Sequence, residues 1–205
     1  MVQTSDPSIA TKVQHLNQGD ALVVKSGGQI VIETGGTFAV GGVALAATMT
    51  QVNAAANDAT RYAAAGSTLT LTVAANNKQT FKLDTDAGST VTLPAATGSG
   101  ARFRFIVTVL ATSNSHVVKV ANASDFMIGT IHGVSDDPAT VKGWIAANSG
   151  TVSTNSDTIT LNRSTAGSVS LGEMLEIEDI AANTWFVFGA ITQSGTEATP
   201  FSATV

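Results

Sequence analysis

From residue 67 onward apolar and polar side chains alternate at every second position, the period of a strand buried on one face only. The runs are LeuThrLeuThrVal at 69–73, ThrPheLysLeu at 80–83, ThrValThrLeu at 90–93, HisValValLysVal at 116–120, ThrIleThrLeu at 158–161, LeuGluIleGlu at 175–178 and TrpPheValPhe at 185–188. The strongest, ArgPheArgPheIleValThrValLeu at 102–110, puts Phe103, Phe105, Val107 and Val109 on one face and Arg102 and Arg104 on the other. AlaGlySer, ThrGlySerGly, ThrSerAsnSer and AlaAlaAsnThr lie between the runs and carry turn chemistry. These eight or so short strands predict an all-β fold over 67–205: an antiparallel β-sandwich, with a jelly roll as the expected topology.

The first third is patterned differently. Residues 21–42 hold three strand-like bursts, each closed by a Gly-Gly pair, as units at 21–28, 29–36 and 37–42. Strands this short cannot bury an apolar face alone, so the repeat needs a neighbour, another domain or copies from other chains to stack on. Ahead of it, residues 1–18 are polar, with Ile9, Val13 and Leu16 as scattered anchors, and read as an extended arm that orders against a partner. After it, Met49, Val52, Ala56 and Thr60 recur at helical spacing among alanines, with Thr48 or Thr50 as cap and Gly66 at the stop. The expected organisation is an arm at 1–18, a β-repeat for oligomerisation or docking at 19–46, a helical linker at 47–66 and the sandwich at 67–205.

Composition narrows the function classes. Charged residues make up 12% of the chain, about half the usual share of ~25%, and the formal net charge is -5. No basic cluster exceeds Arg102 with Arg104, which argues against nucleic acid as a partner. Without cysteine there is neither a disulfide framework nor a thiolate metal site. No apolar run approaches the ~20 residues of a membrane span, and the first residues lack the signature of a signal peptide. The expectation is a soluble protein that does not act at a membrane.

Candidate chemistry is sparse. Asp84, Asp86 and Gly88 open like a calcium loop, but Ala95 stands where the closing carboxylate belongs, so the segment reads as a turn. Glu173, Glu176, Glu178 and Asp179 form an acidic cluster and Asp136–Asp137 another; a solvated face is favoured over a cation site. His15, His116 and His132 have no metal-ligand spacing, and neither a GlyxSerxGly elbow nor a phosphate loop occurs. Trp185, inside an apolar run, reads as core, whereas Trp144, Tyr62 and Phe186 are candidates for stacking on sugar rings. Catalytic, cofactor-binding and metal residues are therefore expected to be none, and no cofactor is implied.

Four phrases resemble the small decoration, cement or head-fibre proteins on the outside of tailed-phage capsids: residues 19–30, 91–105, 111–120 and 195–202. The resemblance implies a non-enzymatic virion protein, commonly a homotrimer, whose N-terminal part grips the major capsid protein on the outer capsid surface while a β domain projects outward. Around a three-fold axis Val23, Ile30, Ile32 and Phe38 would bury one another, and the arm with Ile9, Val13 and Leu16 would lie on the capsid. These seven residues are the expected oligomer or capsid interface. The rival readings are a phage fibre or receptor- or carbohydrate-binding module, which needs exposed aromatics in a groove, and a glycoside hydrolase, for which Asp136, Asp137, Glu173 and Glu176 are the available carboxylates.

Overall fold

The computed structural model describes residues 61–136, 140–149 and 154–205, and before them the backbone of four short strands. The chain divides into two compact units, Met1–Thr48 and Met49–Val205. In the first, β1 (Val13–His15) pairs antiparallel with β2 (Leu22–Val24), and β3 (Ala39–Val40) with β4 (Val43–Ala44). The arm expected at 1–18 thus contributes a strand, Val13 facing Val24 across the pair and Gln14 facing Val23. Ile9, Leu16, Ile30, Ile32 and Phe38 lie outside the described residues.

The second unit is a β-sandwich. Its chain runs through β5 (Tyr62–Ala64), β6 (Thr68–Thr70), α1 (Val73–Asn76), β7 (Gln79–Leu83), β8 (Thr90–Thr92), β9 (Arg102–Val107) and β10 (His116–Lys119). It continues through β11 (Phe126–Ser135), β12 (Val141–Ile145), β13 (Thr158–Leu161), β14 (Met174–Ala181), β15 (Thr184–Gln193) and β16 (Phe201–Ser202). The large sheet has the order β12-β11-β15-β14-β9-β7-β5 and the small sheet β16-β13-β10-β8-β6.

From β5 to β10 the chain changes sheet at every connection, so β5, β7 and β9 stack parallel in one sheet and β6, β8 and β10 parallel in the other. The sandwich is as expected; its uniformly antiparallel, jelly-roll pairing is corrected to mixed sheets. Hairpins would return each strand beside its predecessor, whereas these loops carry it across the core. Antiparallel pairs enter later, where β14 fills the gap between β9 and β15 and β13 joins β10.

The helix expected at 47–66 falls mostly outside the described residues, and its C-terminal part is strand β5. Pairing with β7 overrides the helix propensity of Ala63 and Ala64. The single described helix begins instead at the Thr72 cap, whose hydroxyl accepts the Ala75 N–H, and cuts short the strand expected at 69–73.

Register defines the core. In the large sheet one row runs Ala63, Phe81, Phe105, Leu175, Gly189, Ile131 and Trp144 across all seven strands. Facing it, the small sheet contributes Leu69, Val91, Val118, Ile159 and Phe201. Trp185 is fully buried with its ring 5.8 Å from Phe103, and Phe81 lies 5.7 Å from Phe105. Burying such a ring contributes about 1.5–3 kcal/mol, which makes this layer the main stabilising element.

Candidate functional site

The pleat that sends one row into the core sends its neighbour outward. The outward row of the large sheet also crosses all seven strands: Tyr62, Thr80, Arg104, Glu176, Phe188, Thr130 and Ile145. One position along lie Arg102, Glu178, Phe186 and Ile128. The face therefore has a charged half on β7, β9 and β14 and an apolar half on β15, β11 and β12.

In the charged half Arg102 bridges two carboxylates, 2.7 Å from Glu178 and 3.5 Å from Glu176, while Arg104 stands 4.0 Å from Glu176. These pairs are half-exposed and contribute little stability, about 0–1 kcal/mol each, but they hold the guanidinium groups in place. Beside them an open depression of about 490 Å³ is lined by Lys78, Thr80, Gly100, Arg102, Arg104 and Glu176. Tyr62 is 63% exposed at the sheet edge of the same row.

In the apolar half Phe186 and Phe188 are 39% and 43% exposed and Ile145 is 77% exposed. His132 sets its ring 5.7 Å from that of Phe188. Among the described residues, six of the nine exposed large apolar side chains belong to this one face: Tyr62, Val134, Val141, Ile145, Phe186 and Phe188. Single exposed apolar residues are ordinary on a protein surface; five of these six, all but Tyr62 at the far edge, gather on the adjacent strands β15, β11 and β12, the kind of grouping that marks a candidate contact surface.

The acidic cluster at 173–179 is split by the same pleat. Glu176 and Glu178 point outward to the arginines, whereas Glu173 and Asp179 are buried. Asp179 accepts the N–H groups of Thr97, Gly98 and Ser99 and both their hydroxyls at 97 and 99, at 2.7–3.3 Å. Burial pushes its carboxyl up, but these bonds, led by the Ser99 hydroxyl, hold it below the usual range. Glu173 accepts N–H from Ser168, Val169 and Ser170 at 2.6–2.8 Å, yet burial outweighs them and raises its carboxyl. Asp157 similarly holds the N–H groups of Thr204 and Val205. These acids tie loops to the sandwich.

The remaining candidates are dispersed. The segment at 84–88 is the expected turn, closed by the Gly88 N–H on the Thr85 carbonyl, while the Asp84 carboxylate accepts the Gly66 N–H. His116 is buried in the small sheet and His132 sits on the outer face; His15 lies on β1. Asp136 is exposed beyond the end of β11, and Asp137 lies outside the described residues. Among the described residues no three His, Asp or Glu side chains gather as a metal site, and no helix is long and apolar enough to cross a membrane. Trp144 packs half-buried against the core, so of the aromatics considered for stacking Tyr62 and Phe186 reach solvent. The sequence reading missed Phe188 and Ile145. The available signal was TrpPheValPhe itself, which is apolar on both faces of its strand.

The chain matches no protein-family model, no curated protein and no solved structure.

Proposed function

We propose that the protein is a structural virion subunit: a decoration or cement protein that binds the outer surface of a tailed-phage capsid as a homotrimer and stabilises the shell without catalysis. The observation that carries this reading is the apolar half of the outer sheet face. Phe186, Phe188 and Ile145 present a surface of the kind that association buries, and no described residue covers it. A neighbouring copy covers the β15, β11 and β12 strands; around a three-fold axis the contact is heterologous, so the mating surface is a different one. The first unit, carrying Val13 and Val23 on its paired strands, contacts the major capsid protein. Several such contacts from one oligomer bridge neighbouring capsid subunits, and the binding free energy is received only by the assembled shell. Loops tied down by buried carboxylates support a mechanical role, since those acids are saturated by backbone donors.

The test is sedimentation of the full chain and of Phe186→Thr/Phe188→Thr, followed by co-sedimentation of each with capsids lacking the protein. Expected are a wild-type trimer that binds shells and a variant that stays folded, dissociates and loses occupancy. A wild-type monomer, or full occupancy by the variant, would defeat the reading.

A further inference from the structure

Four of the chain's ten basic residues are gathered on one side of the large sheet, Lys78 beside the start of β7 and Lys82, Arg102 and Arg104 on β7 and β9. Among the described residues Glu176 and Glu178 are the acids that pair with these side chains, two against four, so the patch is locally positive on a chain whose net charge is -5. Lys78 and Lys82 make no ion pair among the described residues, and Arg104 is only loosely paired. Into this patch opens the depression of about 490 Å³, which Thr80 and Gly100 also line. Across the sheet from Arg104, two strands away in the same row, is the exposed ring of Tyr62.

We propose that this depression binds a carboxylate-bearing oligosaccharide, the carboxylate at Arg104 and Lys78 and an adjoining sugar ring against Tyr62. Strands lie about 4.8 Å apart, which separates Tyr62 from Arg104 by about 10 Å, the reach of a disaccharide. A guanidinium offers paired donors that match a carboxylate, and an aromatic ring offers an apolar face to the C–H side of a sugar. Glu176 and Glu178 interrupt the positive surface, so it suits a short ligand with an isolated charge and not a continuous polyanion such as nucleic acid. The site lies at the charged end of the face, away from the β15, β11 and β12 strands assigned to subunit contact, and does not depend on that assignment.

The experiment is calorimetric titration of the full chain with an oligogalacturonate, its neutral methyl ester and a single-stranded oligonucleotide of equal charge. Expected is saturable binding of the oligogalacturonate that weakens with salt, and weaker binding of the other two. Arg104→Gln lowers the affinity roughly tenfold and erases the preference over the ester. Tyr62→Ala weakens acid and ester alike. Lys78→Asn, at a left-handed position that Asn tolerates, provides a second charge variant should Arg104→Gln fail to fold. Arg163→Gln, on an exposed loop elsewhere, leaves binding unchanged. Absence of binding, equal binding of the ester or the oligonucleotide, or a preference that survives both charge variants would overturn the proposal.

Discussion

Gly129 on β11 and Val187 on β15 stand side by side in a parallel pair so close that a Cβ at 129 would overlap the Val187 carbonyl oxygen. Gly129 also holds φ +125°, a conformation that L side chains rarely adopt. The approach lets β11 lie against β15 over ten residues, the pairing on which the apolar half of the outer face is built. Gly129→Ala should therefore destabilise the fold by about 3 kcal/mol or more in urea unfolding. A loss below about 1 kcal/mol would contradict this geometry.

His116 is buried with both ring nitrogens engaged. Nδ1 accepts the Ser89 N–H at 3.0 Å, so Nε2 carries the hydrogen that it donates to the Val109 carbonyl at 2.8 Å. Burial lowers its pKa, outweighing the Val109 bond and the nearby Asp84. A folded value below the unfolded one means that stability is complete above the ordinary imidazole value of about 6.5 and is lost as pH falls toward the folded value. The melting temperature should drop between neutral pH and pH about 5, with His116→Gln flattening that drop. Glu173, raised by burial, works in the opposite sense and is common to both proteins, so their difference isolates the imidazole. Parallel pH profiles would refute the assignment.

Asp179 holds residues 97–99 by carboxylate bonds to consecutive N–H groups. In Asp179→Asn an amide NH₂ replaces one acceptor oxygen and opposes those donors. The expected cost is about 2–4 kcal/mol, with faster amide hydrogen exchange at Gly98 and Ser99. Because the native carboxyl is depressed, its contribution is present above the unfolded value of about 3.9 and lost below it as pH falls through the folded value. Unchanged exchange at 98 and 99 would count against the loop-tether role.

Gln193 is fully buried at the end of β15, its amide oxygen and nitrogen both without a partner among the described residues and its side chain pressed against Gly133. Replacing an unsatisfied polar group by an apolar one of similar shape is neutral or stabilising. Gln193→Met should leave the melting temperature unchanged or raise it. A loss above about 1 kcal/mol would show that the amide is satisfied by ordered water.

Period-two alternation is a local property, and it alone determined the strands at β7 to β10 and β13 to β15 and the inward turn of Phe103, Phe105 and Val107. It does not encode strand direction, which depends on whether a connection turns back or crosses the core; only the tertiary structure placed β5, β7 and β9 in parallel. β11 was illegible because Gly129 and Gly133 interrupt its pattern, and the need for them arises from Val187 and Gln193, 58 and 60 residues away in sequence. The outer face was hidden for a related reason. TrpPheValPhe is apolar on both sides, so its own residues cannot say which side is core. Register with Glu176 and Glu178 decides it, turning Trp185 and Val187 inward and leaving Phe186 and Phe188 exposed as the candidate contact surface.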